Sequence, residues 1–252
     1  MIIGGLQKFS LLDYPGQVAA IVFTQGCNFR CPFCYNPMLV VPSMGGTKDI
    51  FESSSEEIQK SYSQFRPQGQ LSEDDFFVFL KSRAGKLDAI VITGGEPTLH
   101  PDLTGFAARI KALGYKIKLD TNGTNPEMIE KLFLGNLVDY IAMDIKGAPE
   151  KYSRFTGDKD DLDKIRKSII MIKGGRVPYE FRTTVVPAFT QTEDIDRMGG
   201  MIDGAETWWL QRFKSDTSLI DKDLENTDIP SDETMEEMRC RGLKYVKNCR
   251  LR

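Results

Sequence analysis

Long hydrophobic runs are missing from this sequence. The longest apolar stretches, such as AAIVF and AIVI, are far too short to cross a bilayer. The opening residues, MIIGGLQKFSLLDYPG, also lack the basic region and the long apolar region of a secretory signal. We therefore expect a cytoplasmic protein that has no membrane segment.

Histidine is nearly absent, since His100 is the single one in 252 residues. It directly precedes Pro101 at a predicted helix start, which is typical of a surface or capping residue. The five cysteines are an odd number, and cytoplasmic thiols stay reduced. We therefore expect neither acid–base catalysis by histidine nor a disulfide framework, and the cysteines indicate a metal site or catalysis.

An excess of one charge is missing as well. The net charge is −3 at pH 7 and the basic residues are scattered, so we expect no nucleic-acid surface. Apolar residues make up 40% and charged residues 27% of the chain, the balance of a globule with a sizeable core. The length allows one large α/β domain or two small ones.

Short β-rich runs alternate with amphipathic stretches along the chain. The predicted strands are 18–24, 88–93, 115–120, 138–144, 179–186 and 206–212. The predicted helices are 72–84, 101–113, 126–135, 160–173 and 191–202. This alternation indicates βαβ units and a parallel sheet with right-handed crossovers. No GxGxxG follows the first strand. We therefore predict one α/β domain over 1–252, a partial (β/α)6 TIM-like barrel rather than an open dinucleotide-binding sheet.

Two polar stretches interrupt this pattern. Residues 41–71 are rich in Ser, Gln and Gly and predict a mobile insert with a helix near 54–64. Residues 214–232 predict a polar loop that opens a C-terminal extension. A last helix over 232–241 and a short terminal strand are expected to complete that extension.

Cys27, Cys31 and Cys34 form a C-x3-C-x2-C cluster directly after the first predicted strand. A structural zinc site needs four ligands, usually from two paired hooks, and the distant His100 is the one candidate for a fourth. Soft thiolates also select iron–sulfur clusters. Three cysteines on one loop would hold three irons of a 4Fe–4S cluster. The fourth iron would then stay open for another ligand, which suits catalysis better than electron transfer.

Glycine-rich and polar motifs follow the next three strands: TGGEP at 93–97, LDTNG at 119–123 and AMDIK at 142–146. Chemistry in such a barrel lies at the carboxyl ends of the strands, so we expect these motifs and the cysteines on one face. Glu96 could meet a cationic ligand, and Asp120 and Asp144 could bind a hard cation. The alternatives are an ordinary βα turn, an Asn-Gly turn and an ion pair.

CxxxCxxC with an aromatic residue before its third cysteine, together with GGEP, resembles the signature of radical S-adenosylmethionine enzymes. The resemblance implies a 4Fe–4S cluster on the three cysteines, whose fourth iron binds the amino and carboxylate groups of S-adenosylmethionine. One electron then cleaves the sulfonium, giving methionine and a 5′-deoxyadenosyl radical that abstracts hydrogen. The resemblance assigns cofactor contacts to Phe33, Tyr35, Asn36, Gly94, Gly95, Glu96, Pro97, Asp120, Thr121, Asn122, Lys146 and Gln211 or its neighbour Arg212.

The DTNG and D-x-K strand ends resemble those of glycyl-radical activating enzymes. This resemblance implies a monovalent cation at Asp120 and Asp144, beside the S-adenosylmethionine, and Lys146 on its carboxylate. It also implies that Asp13 and Arg182 lie near the radical loop of a protein partner, so Arg182 counts among the predicted catalytic residues. The alternative for Arg182 is an arginine whose hydrogen bonds are satisfied inside the barrel.

The opening LQKFSLLDYPG and the stretch FTQGCNFRCPFCYNP most resemble anaerobic ribonucleoside-triphosphate reductase activating proteins. The resemblance implies a glycyl radical on a much larger reductase, with a flavodoxin or ferredoxin as electron donor. One departure is Tyr35, where the family usually has a histidine that is not a cluster ligand. Three alternatives remain: a formate-lyase activase, a small-molecule radical enzyme such as 7-carboxy-7-deazaguanine synthase, and a non-catalytic iron–sulfur or zinc scaffold.

Overall fold

The computed structural model describes residues 1–40, 71–156, 161–175 and 177–252. Its strands are β1 (Ile3–Ser10), β2 (Ala19–Thr24), β3 (Ala89–Gly94), β4 (Lys116–Thr121), β5 (Tyr140–Asp144), β6 (Tyr179–Val185), β7 (Ala205–Arg212) and β8 (Val246–Leu251). Its α-helices are α1 (Pro37–Val40), α2 (Glu73–Ser82), α3 (Leu103–Ala112), α4 (Pro126–Leu134), α5 (Ser153–Thr156), α6 (Asp161–Gly174), α7 (Asp194–Met201) and α8 (Asp232–Gly242). Short 3-10 helices lie at Pro97–Leu99, Pro149–Lys151 and Lys222–Leu224. The predicted insert, including its helix near 54–64, lies outside the described residues except for Leu71.

The eight strands form one sheet in sequence order. β1 runs antiparallel to β2, and every later neighbour is parallel to the strand before it. At least one helix lies between each two consecutive parallel strands, as parallel pairing requires. Within the described part of the chain β8 does not pair with β1, so the sheet stays open. The predicted partial barrel is therefore confirmed.

The six predicted strands are β2 to β7, and their bounds agree with the structure to within about two residues. The predicted terminal strand is β8, and the predicted last helix is α8. Strand β1 was not predicted. Its sequence, IGGLQKFS, contains two glycines and has no clear alternation, and its pairing with β2 is irregular at two points.

The strands present two different faces, because successive side chains of a strand point to opposite sides. Ile117, Leu119 and Phe181 are fully buried in the large core beneath the helices. The alternate positions of the same strands carry charged side chains: Lys118, Asp120, Glu180 and Arg182. A separate small apolar cluster, Tyr14, Ala19, Ile21, Ala89 and Val91, packs on this inner face at β2 and β3, with Val91 level with Lys118. The inner face is therefore apolar at β2 and β3 and charged at β4 and β6.

Two glycines bring the end of β3 against the end of β2. Gly94 has a φ of +119°, and a Cβ on it would lie 2.3 Å from Thr24 N. A Cβ on Gly95 would lie 2.0 Å from Gly26 O, which is backbone that cannot move aside on its own. The close approach allows Gly95 N–H to donate to Thr24 O at 2.8 Å and Glu96 N–H to donate to Gly26 O at 2.7 Å. The glycine pair therefore has a structural reason in addition to the ligand contact that the sequence predicts.

The C-terminal extension packs on the cysteine-containing loop. Asp221 N–H donates to Pro32 O at 2.9 Å, and Lys214 N–H donates to the Tyr35 hydroxyl at 2.8 Å. The extension therefore borders the site as well as completing the sheet. None of the helices in the described ranges is long and apolar enough to cross a membrane.

We predict that Gly95→Ala lowers the free energy of unfolding by about 1–3 kcal/mol, because the added methyl group overpacks against Gly26 O. Gly105→Ala is the matched control. Gly105 is exposed in α3 with nothing near its Cβ position, so alanine should stabilise by about 0.5–1 kcal/mol. Urea unfolding of the metal-free proteins measures both changes. Equal effects of the two substitutions would contradict the close approach of β3 to β2.

Candidate active site

The three clustered cysteines lie on the loop between β2 and α1 and line one cavity. Cys31 is buried, and Cys27 and Cys34 are half-buried. Main-chain hydrogen bonds hold the loop: Cys34 N–H donates to Cys31 O at 3.0 Å, and Arg30 N–H donates to Phe155 O at 2.9 Å. All five cysteines belong to the described residues, and all are free thiols. The clustered three are therefore available as ligands.

The donor set fits an iron–sulfur cluster better than a single ion. Burial raises the pKa of the Cys27 thiol to about 12 and that of Cys31 to about 11, while the charge of Lys146 acts against the shift at Cys31. Among the described residues no three Cys, His, Asp or Glu side chains converge closely enough to hold a metal ion. Three thiols on one loop suit a 4Fe–4S cluster, whereas a structural zinc site needs four ligands.

The aromatic residues of the loop have different surroundings. Phe33 is buried and packs edge-on against Phe155, with 5.7 Å between the ring centroids. Tyr35 is half-buried and stacks on Phe213 at 6.4 Å. Phe33 therefore belongs largely to the core that shields the cysteine loop. Tyr35 joins that loop to the C-terminal extension.

Glu96 is 1% exposed, and its carboxylate is held by protein donors. Oε1 accepts hydrogen bonds from Thr98 N–H at 3.1 Å, from Thr98 Oγ1 at 2.6 Å and from Thr121 Oγ1 at 2.7 Å. Oε2 accepts from Asn122 N–H at 2.6 Å. Burial raises the pKa of Glu96, although these donors oppose the rise. This carboxylate therefore organises the end of β4, and its contact with a cationic ligand stays a prediction.

Asn122 connects β4 to the cysteine loop. Its Nδ2 donates to Asn28 Oδ1 at 2.9 Å, and its Oδ1 accepts from Thr124 N–H at 3.0 Å. The Asn28 amide in turn donates to Thr124 Oγ1 at 2.9 Å. The DTNG segment is thus a fixed part of the cavity wall, as well as the Asn-Gly turn that the sequence offered as an alternative.

Arg182 on β6 bonds to two carboxylates on neighbouring strands. Its Nε donates to Asp144 Oδ1 at 2.9 Å, and its Nη1 donates to Asp120 Oδ2 at 3.0 Å. Lys146 Nζ donates to the other oxygen of Asp144 at 3.0 Å. The structure therefore agrees with the alternative interpretation of Arg182, and its place near a partner's radical loop stays a prediction. The side chain lines the cavity, and two of its donors are satisfied inside the barrel.

These ion pairs keep the carboxylates ionised. Burial alone would raise the pKa of Asp144, but Arg182 and Lys146 hold it at about 2. Burial would also raise the pKa of Asp120, but the charges of Arg182 and Lys118 keep it below its usual value. In this structure the cation bonded to both carboxylates is the Arg182 guanidinium. The monovalent cation at Asp120 and Asp144 stays a prediction.

The cavity has a volume of about 880 Å³ and lies at the carboxyl ends of the parallel strands. Every predicted site residue except Pro97 lines it, and Asp13 and Arg212 line it too. Pro97 is buried at the start of a 3-10 helix instead. Gln211 is the next-to-last residue of β7, and Arg212, which ends the strand, bonds to Asp232 and to Pro230 O. The predicted convergence of strand-end motifs on one face is therefore what the structure shows.

Sequence analysis missed three polar residues that contact the predicted site residues or lie behind them: Asn28, Lys118 and Glu180. The two-residue alternation of β4 was the available signal for Lys118, because it places this lysine on the same face as Asp120. His100 also differs from a simple surface residue. It is half-buried, and its Nε2 lies 2.9 Å from Gln25 O, next to the cysteine loop.

Comparison with known proteins gives consistent results. Residues 21–198 match the Radical SAM superfamily. The chain is 32% identical to a Methanocaldococcus jannaschii protein named as a glycyl-radical enzyme activating enzyme, over 100% of this chain and 95% of that protein. It is 28% identical to the pyruvate formate-lyase-activating enzyme of Clostridium pasteurianum, over 79% and 75% of the two chains.

The fold has a solved counterpart in Streptococcus suis SuiB bound to S-adenosylmethionine, with a TM-score of 0.59 at 13% identity. The match covers 92% of this chain and 49% of that one, and at this identity it bears on the fold alone. The superfamily match covers more than half of the chain, and the M. jannaschii relative is matched over nearly its full length. The chain therefore belongs to the radical SAM superfamily and, within it, to the family of glycyl-radical enzyme activating enzymes.

Proposed function

We propose that this protein generates a glycyl radical on an anaerobic ribonucleoside-triphosphate reductase. The observation that carries the proposal is one cavity lined by three free thiols and by the charged side chains of Asp144, Lys146 and Arg182. The opening LQKFSLLDYPG supports the reductase as partner over other glycyl-radical proteins, through the resemblance described above. A flavodoxin or ferredoxin is the proposed electron donor.

Membership of the superfamily implies a 4Fe–4S cluster and S-adenosylmethionine. Cys27, Cys31 and Cys34 would hold the cluster. When bound, the two groups together supply one electron and a radical that abstracts hydrogen. Lys146 is the cavity cation that would bind the carboxylate of S-adenosylmethionine, since its ammonium faces the cysteine loop closely enough to oppose the pKa shifts of Cys31 and Cys34.

The opening of the sheet supports a macromolecular substrate. A closed barrel would admit ligands through its mouth alone, whereas the described edges of β1 and β8 leave a lateral gap. Arg182 lines the cavity, and the described residues provide no acceptor for its Nη2. Two N–H groups are therefore available for main-chain carbonyl oxygens of an extended segment that enters the gap. Asp13 also lines the cavity and would contact the same segment.

We predict that replacing Cys27, Cys31 or Cys34 with alanine abolishes cluster assembly. Each substitution removes one of three thiolate ligands, and no other free thiol of the described chain lines the cavity. Iron and sulfide analysis after anaerobic reconstitution, with electron paramagnetic resonance of the reduced cluster, measures the loss. Cys240→Ala is the control, because Cys240 is exposed on α8 and should retain wild-type iron content. Loss of iron in this control with retention in Cys27→Ala would overturn the assignment.

We predict that Glu96→Gln weakens S-adenosylmethionine binding by about tenfold and leaves the iron content unchanged. The amide places a donor among the donors of Thr98, Thr121 and Asn122, so one buried group loses its partner at a cost of about 1–3 kcal/mol. Titration of the reduced cluster signal with S-adenosylmethionine measures the affinity. Glu127→Gln, at an exposed position of α4, is the matched control. Unchanged affinity in Glu96→Gln would remove this carboxylate from the organisation of the cofactor site.

We predict that Arg182→Lys lowers the glycyl-radical yield on an anaerobic ribonucleotide reductase by at least about tenfold. Lysine keeps the positive charge, but its single ammonium cannot bond to Asp120 and Asp144 and also reach the substrate. The measurement is the glycyl-radical resonance of the reductase after incubation with reductant and S-adenosylmethionine.

Arg166→Lys is the matched control, because Arg166 lies on α6 with 54% of its side chain exposed. It should give the wild-type yield. The function itself is tested by the wild-type arm of the same experiment. A wild-type protein that yields no radical with any glycyl-radical protein, yet turns over a small substrate alone, would be a small-molecule enzyme instead.

A further inference from the structure

Lys118 is a lysine buried inside the barrel. Lys118 is 1% exposed, and its Nζ lies 2.9 Å from Asp120 Oδ1 and 3.9 Å from Glu180 Oε1. The aromatic ring of Tyr140 lies beside it, with 6.0 Å from Nζ to the ring centroid. Lys118 does not line the cavity, although Asp120 does. The lysine therefore lies directly behind the cavity wall.

Glu180 completes this buried group from β6. It is 1% exposed, and its Oε2 accepts a hydrogen bond from the Tyr140 hydroxyl at 3.1 Å. A buried ion pair is weak evidence for stability, because desolvation of both charges offsets their attraction. Replacing a buried ion pair by apolar side chains of similar volume is often neutral or stabilising. The presence of Lys118 and Glu180 on this face thus calls for a role other than stability.

Their role follows from the two oxygens of Asp120. Lys118 is paired with Oδ1, and Arg182 donates to Oδ2, so each oxygen has its own cation. Without Lys118 the carboxylate could rotate and accept both Arg182 nitrogens or turn away from the arginine. The ion pair with Lys118 opposes this rotation, and Arg182 is held at Nη1 by Asp120 and at Nε by Asp144.

We propose that Lys118 and Glu180 are positioning residues that act through Asp120 to hold the Arg182 guanidinium with Nη2 facing the protein substrate. The Glu180 carboxylate balances the lysine charge from 3.9 Å away and accepts a hydrogen bond from the Tyr140 hydroxyl. The inference rests on the proposed function for the identity of that substrate. It predicts that the buried pair governs substrate affinity and leaves cofactor cleavage alone.

The test uses the double variant Lys118→Met, Glu180→Gln. It removes one charge of each sign, so no buried charge is left unpaired by the change itself, and the glutamine can still accept from Tyr140. The matched control is Lys247→Met, Glu206→Gln, which removes an exposed ion pair of the same residue types between β7 and β8. Urea unfolding establishes that both variants fold.

Three readouts distinguish positioning from a structural role. In the double variant the KM for an anaerobic ribonucleotide reductase should rise about tenfold with little change in kcat. Both constants are measured from the rate at which the glycyl-radical resonance grows. Reductive cleavage of S-adenosylmethionine in the absence of the reductase should stay at the wild-type rate. In the metal-free protein, nitrogen-15 NMR of the Arg182 guanidinium should show slow rotation about Cζ–Nε in the wild type and faster rotation in the double variant.

A conservative substitution of Lys118 further distinguishes positioning from a structural role. Lys118→Arg keeps a cation within reach of Asp120 and should restore slow rotation of the Arg182 guanidinium. A wild-type KM in the double variant, or an unchanged Arg182 spectrum, would overturn the inference. So would an equal loss of S-adenosylmethionine cleavage, since Lys118 would then serve the cofactor. If the wild-type protein gives no glycyl radical but the Arg182 spectrum changes as expected, the proposed function fails and the positioning of Arg182 stands.

Discussion

One buried carboxylate, that of Glu96, joins the ends of three neighbouring strands. Its main-chain N–H bonds to the cysteine loop after β2, its own segment follows β3, and its side chain holds Thr121 and Asn122 at the end of β4. The network continues from Asn122 to Asn28 and so returns to the cysteine loop. Because each buried donor needs an acceptor, removing this carboxylate would leave several donors unmatched at once.

A second constraint is the balance of charge on the inner face. Lys118, Arg182 and Lys146 alternate with Glu180, Asp120 and Asp144 in one series of ion pairs on β4, β6 and the end of β5. Equal numbers of the two signs help these groups stay ionised where few water molecules can reach them. The cavity wall is therefore polar, yet carries little net charge, which suits a site that must accept a cationic sulfonium compound beside thiolates.

Periodicity was sufficient to predict the central part of the fold. Strands such as β2 and β3 are buried on both faces and read as continuous apolar runs, AAIVFT and AIVITG, between clear helical patterns. β1 has no such signal, because it is an edge strand whose conformation comes from its pairing with β2 rather than from local preference. The placement of motifs at strand ends followed from the parallel topology alone.

The contacts inside the site were beyond such reasoning. Lys116 and Lys118 look alike in the sequence, yet Lys116 is exposed and Lys118 is 1% exposed. Two features of the site depend on the stagger of β4, β5 and β6 relative to one another. One is the set of protein donors that hydrogen-bond to the Glu96 carboxylate. The other is the contact of Arg182 with both Asp120 and Asp144. Stagger is a property of the assembled sheet, so it cannot be predicted from the sequence of a single strand.

The contacts of the C-terminal extension with the cysteine loop set an order of events during synthesis. The loop at 27–34 leaves the ribosome early, but its hydrogen bond from Asp221 N–H to Pro32 O and that from Lys214 N–H to Tyr35 form across about three quarters of the chain. Until residue 221 has been made, the cysteines lack one wall of their surroundings. The surroundings of the cysteine loop are therefore complete only in a nearly full-length chain.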